Sequence, residues 1–301
     1  MTAQTAPRAS ISPHKIVVAK RKQALLPTVI GTTIIAAFCL YFLFPVFWQL
    51  IASTKNVSQL ASTSGVLPTI PPHTFDNLRA LFAAEDGVFG RWFINSMVYS
   101  GIGGALCTLI SAATGYALAL LRFRGKRLVT TAVLAGTLLP ATVLAFPIYL
   151  VVVRLGIVDT YWAYLLPSLV SPMAIFLGRM FAQQSVPKDL LEAARIDGAG
   201  EMRIAFTIGL RLMTPGLVTI FLIQVIAIWN NFLLPLMVLS STEKYPATVG
   251  LYIWNSRVTQ SPEYTILVLL GALVSSLPLI ILFLWLQRYL KSGMTSGAVK
   301  A

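Results

Sequence analysis

Charge is what this chain has least of. Asp, Glu, Lys and Arg together make up 11% of its 301 residues, against about a quarter in an ordinary soluble domain. So little polar material cannot coat a globule of this size, and 56% of the residues are hydrophobic. An integral membrane protein is expected.

Reactive groups are just as scarce. Cysteine occurs twice, as Cys39 and Cys107, both inside apolar runs. That argues against a disulfide framework and predicts buried thiols that behave as small hydrophobes. The two histidines, His14 and His73, fall outside the long apolar runs, and so does every carboxylate. No ionisable relay is therefore expected at membrane depth. A phosphate-binding Gly-x-x-x-x-Gly-Lys-Ser/Thr loop is missing; "RFRGKR" at 122–127 has neither the upstream glycine nor the hydroxyl. HExxH, a GxSxG with triad partners and a catalytic carboxylate pair are missing too. The chain is not expected to be an enzyme, to hold a metal or to capture energy by itself.

Long apolar runs are what it does have. A hydrocarbon core about 30 Å thick takes roughly 20 residues of helix. Six segments qualify: 25–51, 93–121, 128–153, 160–182, 212–240 and 264–287. Only Arg179 lies inside one of them, near enough to its end to reach the interface. The first run follows Lys20, Arg21 and Lys22, yet it is far longer than the about 7–15 apolar residues of a secretory signal. It is read as a retained span.

A net charge of +13 would ordinarily raise nucleic acid as a partner. The placement of the charges decides against it. With the N-terminus inside, segments 1–24, 122–127, 179–211 and 288–301 hold 17 of the 23 Lys and Arg and only four of the ten acids. The outer segments balance at six of each. The whole excess lies on one face, as the positive-inside rule requires, so both termini are expected to be cytoplasmic.

The resulting organisation is a disordered basic N-terminus over 1–24, one six-span domain over 25–290 and a cytoplasmic tail over 291–301. The outer segment 52–92 is proline-rich and then helical, with Asn77 through Phe82 expected along the membrane surface. Segment 241–263 is long enough to contact a partner.

Within the spans, prolines such as Pro45, Pro140, Pro147, Pro167, Pro235 and Pro278 free backbone carbonyls that need new partners. The fifth span also carries Gln224, Asn230 and Asn231, with Trp229 and Phe232 beside the asparagines. Amides donate and accept, and rings stack on apolar faces, a pairing that suits a neutral, hydroxyl-rich solute. The same amides would serve to hold helix against helix. One sequence leaves these two roles open.

Against this background "LLEAARIDGAGEMRIAF" at 190–206 stands out by its charges. Ser185-Val186-Pro187 makes a helix start, Asp189 and Glu192 favour the early turns, and Gly198 supplies the stop. Leu190, Leu191 and Ala194 share one face of that helix. Ala194 and Gly198 lie one turn apart, where small residues would let a partner surface come close. A second helix is expected from about Ala199 into the fifth span. Such a helix-turn-helix suits docking of another protein, and equally a helix lying on lipid headgroups.

The segment resembles the EAA loop of ABC importer permeases: Glu192-Ala193-Ala194, Gly198, Ile208 and Leu210 stand at that motif's spacing. The motif's final proline is replaced by Arg211, with Pro215 four residues later. Three further stretches are similar to the carbohydrate-uptake, MalG-like branch of that family: "AIWNNFLLPLMVL" at 227–239, "LQRYLKSGMTSGAVKA" at 286–301 and "LPTIPPHTFDNLRALF" at 67–82. An acidic residue is common in that family where Asn231 stands.

The resemblance implies an all-α, six-span permease of the type I importer (MetI-like) fold in a bacterial inner membrane. Its function would be one half of an ATP-driven, binding-protein-dependent sugar importer. The implied partners are a second, MalF-like permease, two cytoplasmic ATPases and an extracytoplasmic solute-binding protein. ATP and Mg would be bound by the ATPases, leaving this chain without a cofactor. Leu191, Glu192, Ala193, Ala194, Asp197 and Gly198 would form the coupling element within the loop 185–211, and Gln224, Trp229, Asn230 and Asn231 the solute pathway. The rival readings are an ABC permease for another solute, such as a phosphorylated polyol, and a stand-alone channel or facilitator.

Overall fold

A computed structural model describes residues 25–295, with side chains from 29 to 289. The segment 1–24 and the end of the C-terminal stretch lie outside the described residues. The described residues form helices and turns, with no strand among them. The first are α1 (Leu25–Ser53), α2 (Val57–Ser62), α3 (Thr74–Ala83), α4 (Val88–Leu120), α5 (Lys126–Leu138), α6 (Ala141–Arg154), α7 (Tyr161–Ser168) and α8 (Pro172–Ser185). There follow α9 (Lys188–Ile196), α10 (Glu201–Ile204), α11 (Leu210–Leu212), α12 (Thr214–Trp229), α13 (Leu233–Val238), α14 (Ala247–Arg257) and α15 (Tyr264–Thr295).

Four helical stretches are long and apolar enough to cross a membrane, and six if each of two bent pairs counts as one span. The bends are where the straight helices expected from hydropathy give way. The run 128–153 is two helices, α5 and α6, meeting at 113°. Pro140 caps α6 there, and lacking an N–H it cannot continue α5. The run 212–240 stops at Trp229 and resumes as α13, while a 77° bend at its other end separates Glu201–Leu212 from α12. Between α7 and α8 the chain opens at Leu169–Ser171, and Pro172 starts α8 with the Ser171 side chain accepting from the Ala174 N–H.

The α4 helix is the axis of residues 48–295. Lipid is as apolar as a leucine side chain, so helices in it hold together by close packing rather than by burial from water. Gly115 and Gly178 supply that closeness between α4 and α8. A Cβ at Gly115 would stand 2.4 Å from the Arg179 nitrogen, and one at Gly178 2.7 Å from the Ser111 carbonyl oxygen. Further along α4, Gly104 lies against Val225 of α12, where a Cβ would come within 2.7 Å of its Cγ2.

Cys107 is buried in this packing, as expected, but Cys39 is exposed on α1, whose side chains from 29 to 47 are almost all exposed. The stretch Asn77–Phe82 packs one side against its own chain. Asn77 is buried, donating to the carbonyls of Ser53 and Lys55 at 2.9 Å each, and Leu81 sits in a core with Phe89, Trp92 and Trp254.

At one end of α4 a polar stripe at i, i+3, i+4 and i+7 fastens the turn 241–245, as side chains on one helical face can. Trp92 Nε1 donates to the Thr242 carbonyl at 2.8 Å, Asn95 Nδ2 to those of Glu243 and Tyr245, and Tyr99 Oη to that of Lys244. Ser96 Oγ accepts from the Ala247 N–H, starting α14. Nothing in hydropathy marked this stripe; the spacing of Trp92, Asn95, Ser96 and Tyr99 was its one signal.

Candidate functional site

The charged segment forms at the other end of α4. Pro187 caps α9, Asp189 sits in its first turn and Arg195 in its last, the signs that the helix dipole favours. Its end is a Schellman motif. The Ala199 N–H donates to the Ala194 carbonyl and the Gly198 N–H to that of Arg195, both at 3.0 Å. Gly198 is left-handed, at φ +78°, and a Cβ there would meet nothing within 4 Å. Glycine is required by the backbone angle, then, and not by the approach of anything within this chain.

The two faces of α9 differ. Leu191, 2% exposed, and Ala194, 8% exposed, are set into a core with Ala112 and Tyr116 of α4, Ala182 and Val186. These two hold the helix to its own chain. Glu192, Ala193, Asp197 and Gly198 point outward. So does Ile196, 86% exposed at the helix tip and outside the expected coupling residues. An isoleucine off the apolar face of an otherwise charged helix was the signal that could have found it. Beyond Gly200, Glu201 accepts from the Arg195 guanidinium at 2.6 and 3.3 Å, tying the two arms of the turn together. The Arg195 hydrogen bond holds the Glu201 carboxyl below the usual carboxylate range. A cleft of about 670 Å³ beside α9 is lined by Arg122, Lys126, Lys188 and Glu192 among others.

The chain then passes through a π-helical turn, Ala205–Gly209, before the bend at Met213. Arg211, which takes the place of the motif's proline, is exposed. The bend comes two residues later, and Pro215 lies in the first turn of α12, where a missing N–H costs nothing.

Of the five residues singled out in the fifth span, four, Phe232 among them, come together and Trp229 does not. Gln224, Asn230 and Asn231 line a cavity of about 630 Å³ that also touches Thr142, Ser168 and Ser171. Three helix interruptions border it, at Pro140, at Val170–Ser171 and at Asn230–Phe232. No Asp, Glu, Lys, Arg or His is among its lining residues. Gln224 Nε2 donates to Ser171 Oγ at 3.3 Å and Asn230 Nδ2 to the Ile226 carbonyl at 2.9 Å. Trp229, 5% exposed, lines a second, almost wholly apolar cavity of about 590 Å³ with Phe93, Val225 and Trp285. Its ring stands edge-on to Phe93 at 6.1 Å. One residue on a helix is 100° of rotation, so neighbours in sequence face different neighbours in space.

Comparison with known proteins accords with this architecture. Residues 104–296 match the family model described as "Binding-protein-dependent transport system inner membrane component". The arabinooligosaccharides transport system permease protein AraQ of Bacillus subtilis (strain 168) is 36% identical over 263 residues, which is 87% of this chain and 92% of that protein. The lactose transport system permease protein LacG of Rhizobium radiobacter is 30% identical, covering 91% and 97%. The melibiose/raffinose/stachyose import permease protein MelC of Bacillus subtilis (strain 168) is also 30% identical, covering 89% and 95%. A chain from the crystal structure of a bacterial ABC transporter involved in the import of the acidic polysaccharide alginate superposes with a TM-score of 0.76. It covers 89% of this chain and 98% of that one at 23% identity, a likeness of fold alone. The chain is therefore a multi-pass membrane protein that belongs to the binding-protein-dependent inner membrane components, the permeases of ABC importers, in their carbohydrate-uptake branch, a family of transport subunits and not of enzymes.

Proposed function

We propose that this chain is one of two permeases of an ATP-driven sugar importer, with its 185–211 segment on the cytoplasmic side as the element that ATPase subunits grip. The observation that carries the reading is the two-sidedness of α9. Leu191 and Ala194 are sunk in the chain's own core, while Ile196 stands out among Glu192, Ala193 and Asp197. An apolar knob with a charged rim is the anatomy of a docking contact, with a dry centre and a wet edge. Leu191, turned inward, supports docking over a headgroup-bound helix, while Leu190, expected on the same face, is 43% exposed.

The ATPases would bind ATP and Mg, and this chain would hold neither. A second, MalF-like permease would complete the channel, and an extracytoplasmic binding protein would deliver the solute to the face opposite α9. Both termini would be cytoplasmic, from the one-sided distribution of Lys and Arg. Gln224, Asn230 and Asn231 would line the route. Their cavity offers neutral amides and hydroxyls and no charge, which suits a neutral saccharide better than a phosphorylated solute. Relatives named for arabinooligosaccharide, lactose and melibiose transport support the same class of cargo.

The test is reconstitution of the chain with its partner permease and ATPase in vesicles, with radiolabelled oligosaccharide and binding protein outside. Uptake is expected only with ATP inside, and Ile196→Asp is expected to abolish it together with ATPase retention. Saccharide flux through the permeases without ATPase would overturn the reading in favour of a facilitator.

A further inference from the structure

Tyr116 near the end of α4 and Gly209 at the end of the π turn meet almost without clearance. A Cβ on Gly209 would stand 2.3 Å from Cε2 of the Tyr116 ring and 2.9 Å from its Cδ2. The bare glycine lets the ring lie flush against the backbone. Gly209 closes a turn in which each N–H reaches back five residues instead of four, and such turns are rare and concentrated at functional sites. The π turn also holds one residue of slack between Glu201 and the spanning helix that follows.

Tyr116 is 1% exposed, and its hydroxyl has no hydrogen-bond partner among the described residues. A buried hydroxyl left unpaired costs free energy that a phenylalanine at the same place would avoid. Tyr116 shares one core with Ala194, Ala199 and Ile204, the residues that flank Arg195 and Glu201 in the chain. In the conformation seen here both oxygens of Glu201 are occupied by Arg195, at 2.6 and 3.3 Å. Glu201 is engaged with Arg195, and no bond from Tyr116 to it forms in this conformation.

We propose that Tyr116 is a positioning residue of the transport cycle. Its ring is the bearing on which the π turn moves, and its hydroxyl donates to the Glu201 carboxylate in the conformation that alternates with this one. A group that is orphaned in one state and paired in the other biases the equilibrium between them by its differential interaction. The Arg195–Glu201 pair favours the present state; the Tyr116–Glu201 bond favours its counterpart. A push delivered at α9 reaches the base of the fifth span through this exchange. The inference rests on the reading of α9 as the ATPase grip.

The experiment uses the assembled complex in vesicles, comparing wild type, Tyr116→Phe, Glu201→Gln and the double variant. Saccharide taken up per ATP hydrolysed is the readout. Tyr116→Phe keeps the ring and drops only the orphan hydroxyl, so ATPase retention is expected to be unchanged and the melting temperature unchanged or higher. Uptake per ATP is expected to fall several-fold. In the double variant the loss is expected to be no greater than in the worse single variant, because both changes remove one bond. Wild-type uptake per ATP in Tyr116→Phe, multiplied losses in the double variant, or a lowered melting temperature would each overturn the proposal. Failure of the wild-type chain to retain an ATPase would instead overturn the proposed function, a separate result.

Discussion

The ammonium of Lys244 lies 2.9 Å from a carboxylate oxygen of Asp159 and joins two turns 85 residues apart in the chain. Asp159 is left-handed, at φ +56°, which aims its carboxylate at the backbone N–H groups of Ser240 and Ser241 and at the Ser241 hydroxyl. Burial pushes this carboxyl up, but the hydrogen bonds from Ser241, Ser240 and Lys244 outweigh it and hold the group well below the usual carboxylate range. The clasp fixes the same turn that Trp92, Asn95 and Tyr99 hold.

A depressed carboxylate stabilises the fold above its unfolded pKa of about 3.9, and loses that contribution as pH falls toward its folded value. Asp159→Asn is therefore expected to lower the melting temperature at pH 7 and to flatten the acid limb of the stability profile below about pH 4. Thermal unfolding in detergent from pH 3 to 7 checks this; superimposable profiles would refute it.

Gly198 answers to backbone angle, so its substitutions should rank by tolerance of the left-handed region and not by size. Asn is expected to be accepted nearly as well as Gly. Ala should cost roughly 1 kcal/mol of local stability, and Val more, with uptake falling in the same order. If Ala outperformed Asn in vesicle uptake, the turn would not be the constraint.

Opposite faces of α9 should give opposite phenotypes. Leu191→Ala removes a side chain 2% exposed, and a core leucine is worth about 2–5 kcal/mol; a lowered melting temperature is expected. Ile196→Asp changes a side chain 86% exposed and should leave that temperature alone while ATPase co-purification is lost. Equal melting temperatures for the two variants would contradict this division.

Gln224 and Asn231 line the uncharged cavity, whereas Trp229 lines the apolar one. Gln224→Leu and Asn231→Leu are expected to raise the apparent KM for saccharide several-fold. Trp229→Ala is expected to lower thermal stability and leave KM unchanged. Uptake kinetics read alongside melting curves separate the two, and an unaltered KM in both leucine variants would remove these amides from the pathway.

Local signals in the sequence foretold much of this molecule. Long apolar runs that become helices need no partner in space to be read. Nor does the α9 helix with its glycine stop, since a dipole, a cap and a left-handed residue act within a single turn. Tertiary structure alone decided which side of each helix meets what. A soluble helix advertises its buried face by a polar one opposite, but these spans are apolar all round, so rotation leaves no trace in hydropathy. Close packing chose it: Gly115 against Gly178 and Gly104 against Val225 set how α4 lies on its neighbours. That choice turned Trp229 away from Asn231, drew three helix breaks around one cavity and seated Tyr116 on Gly209.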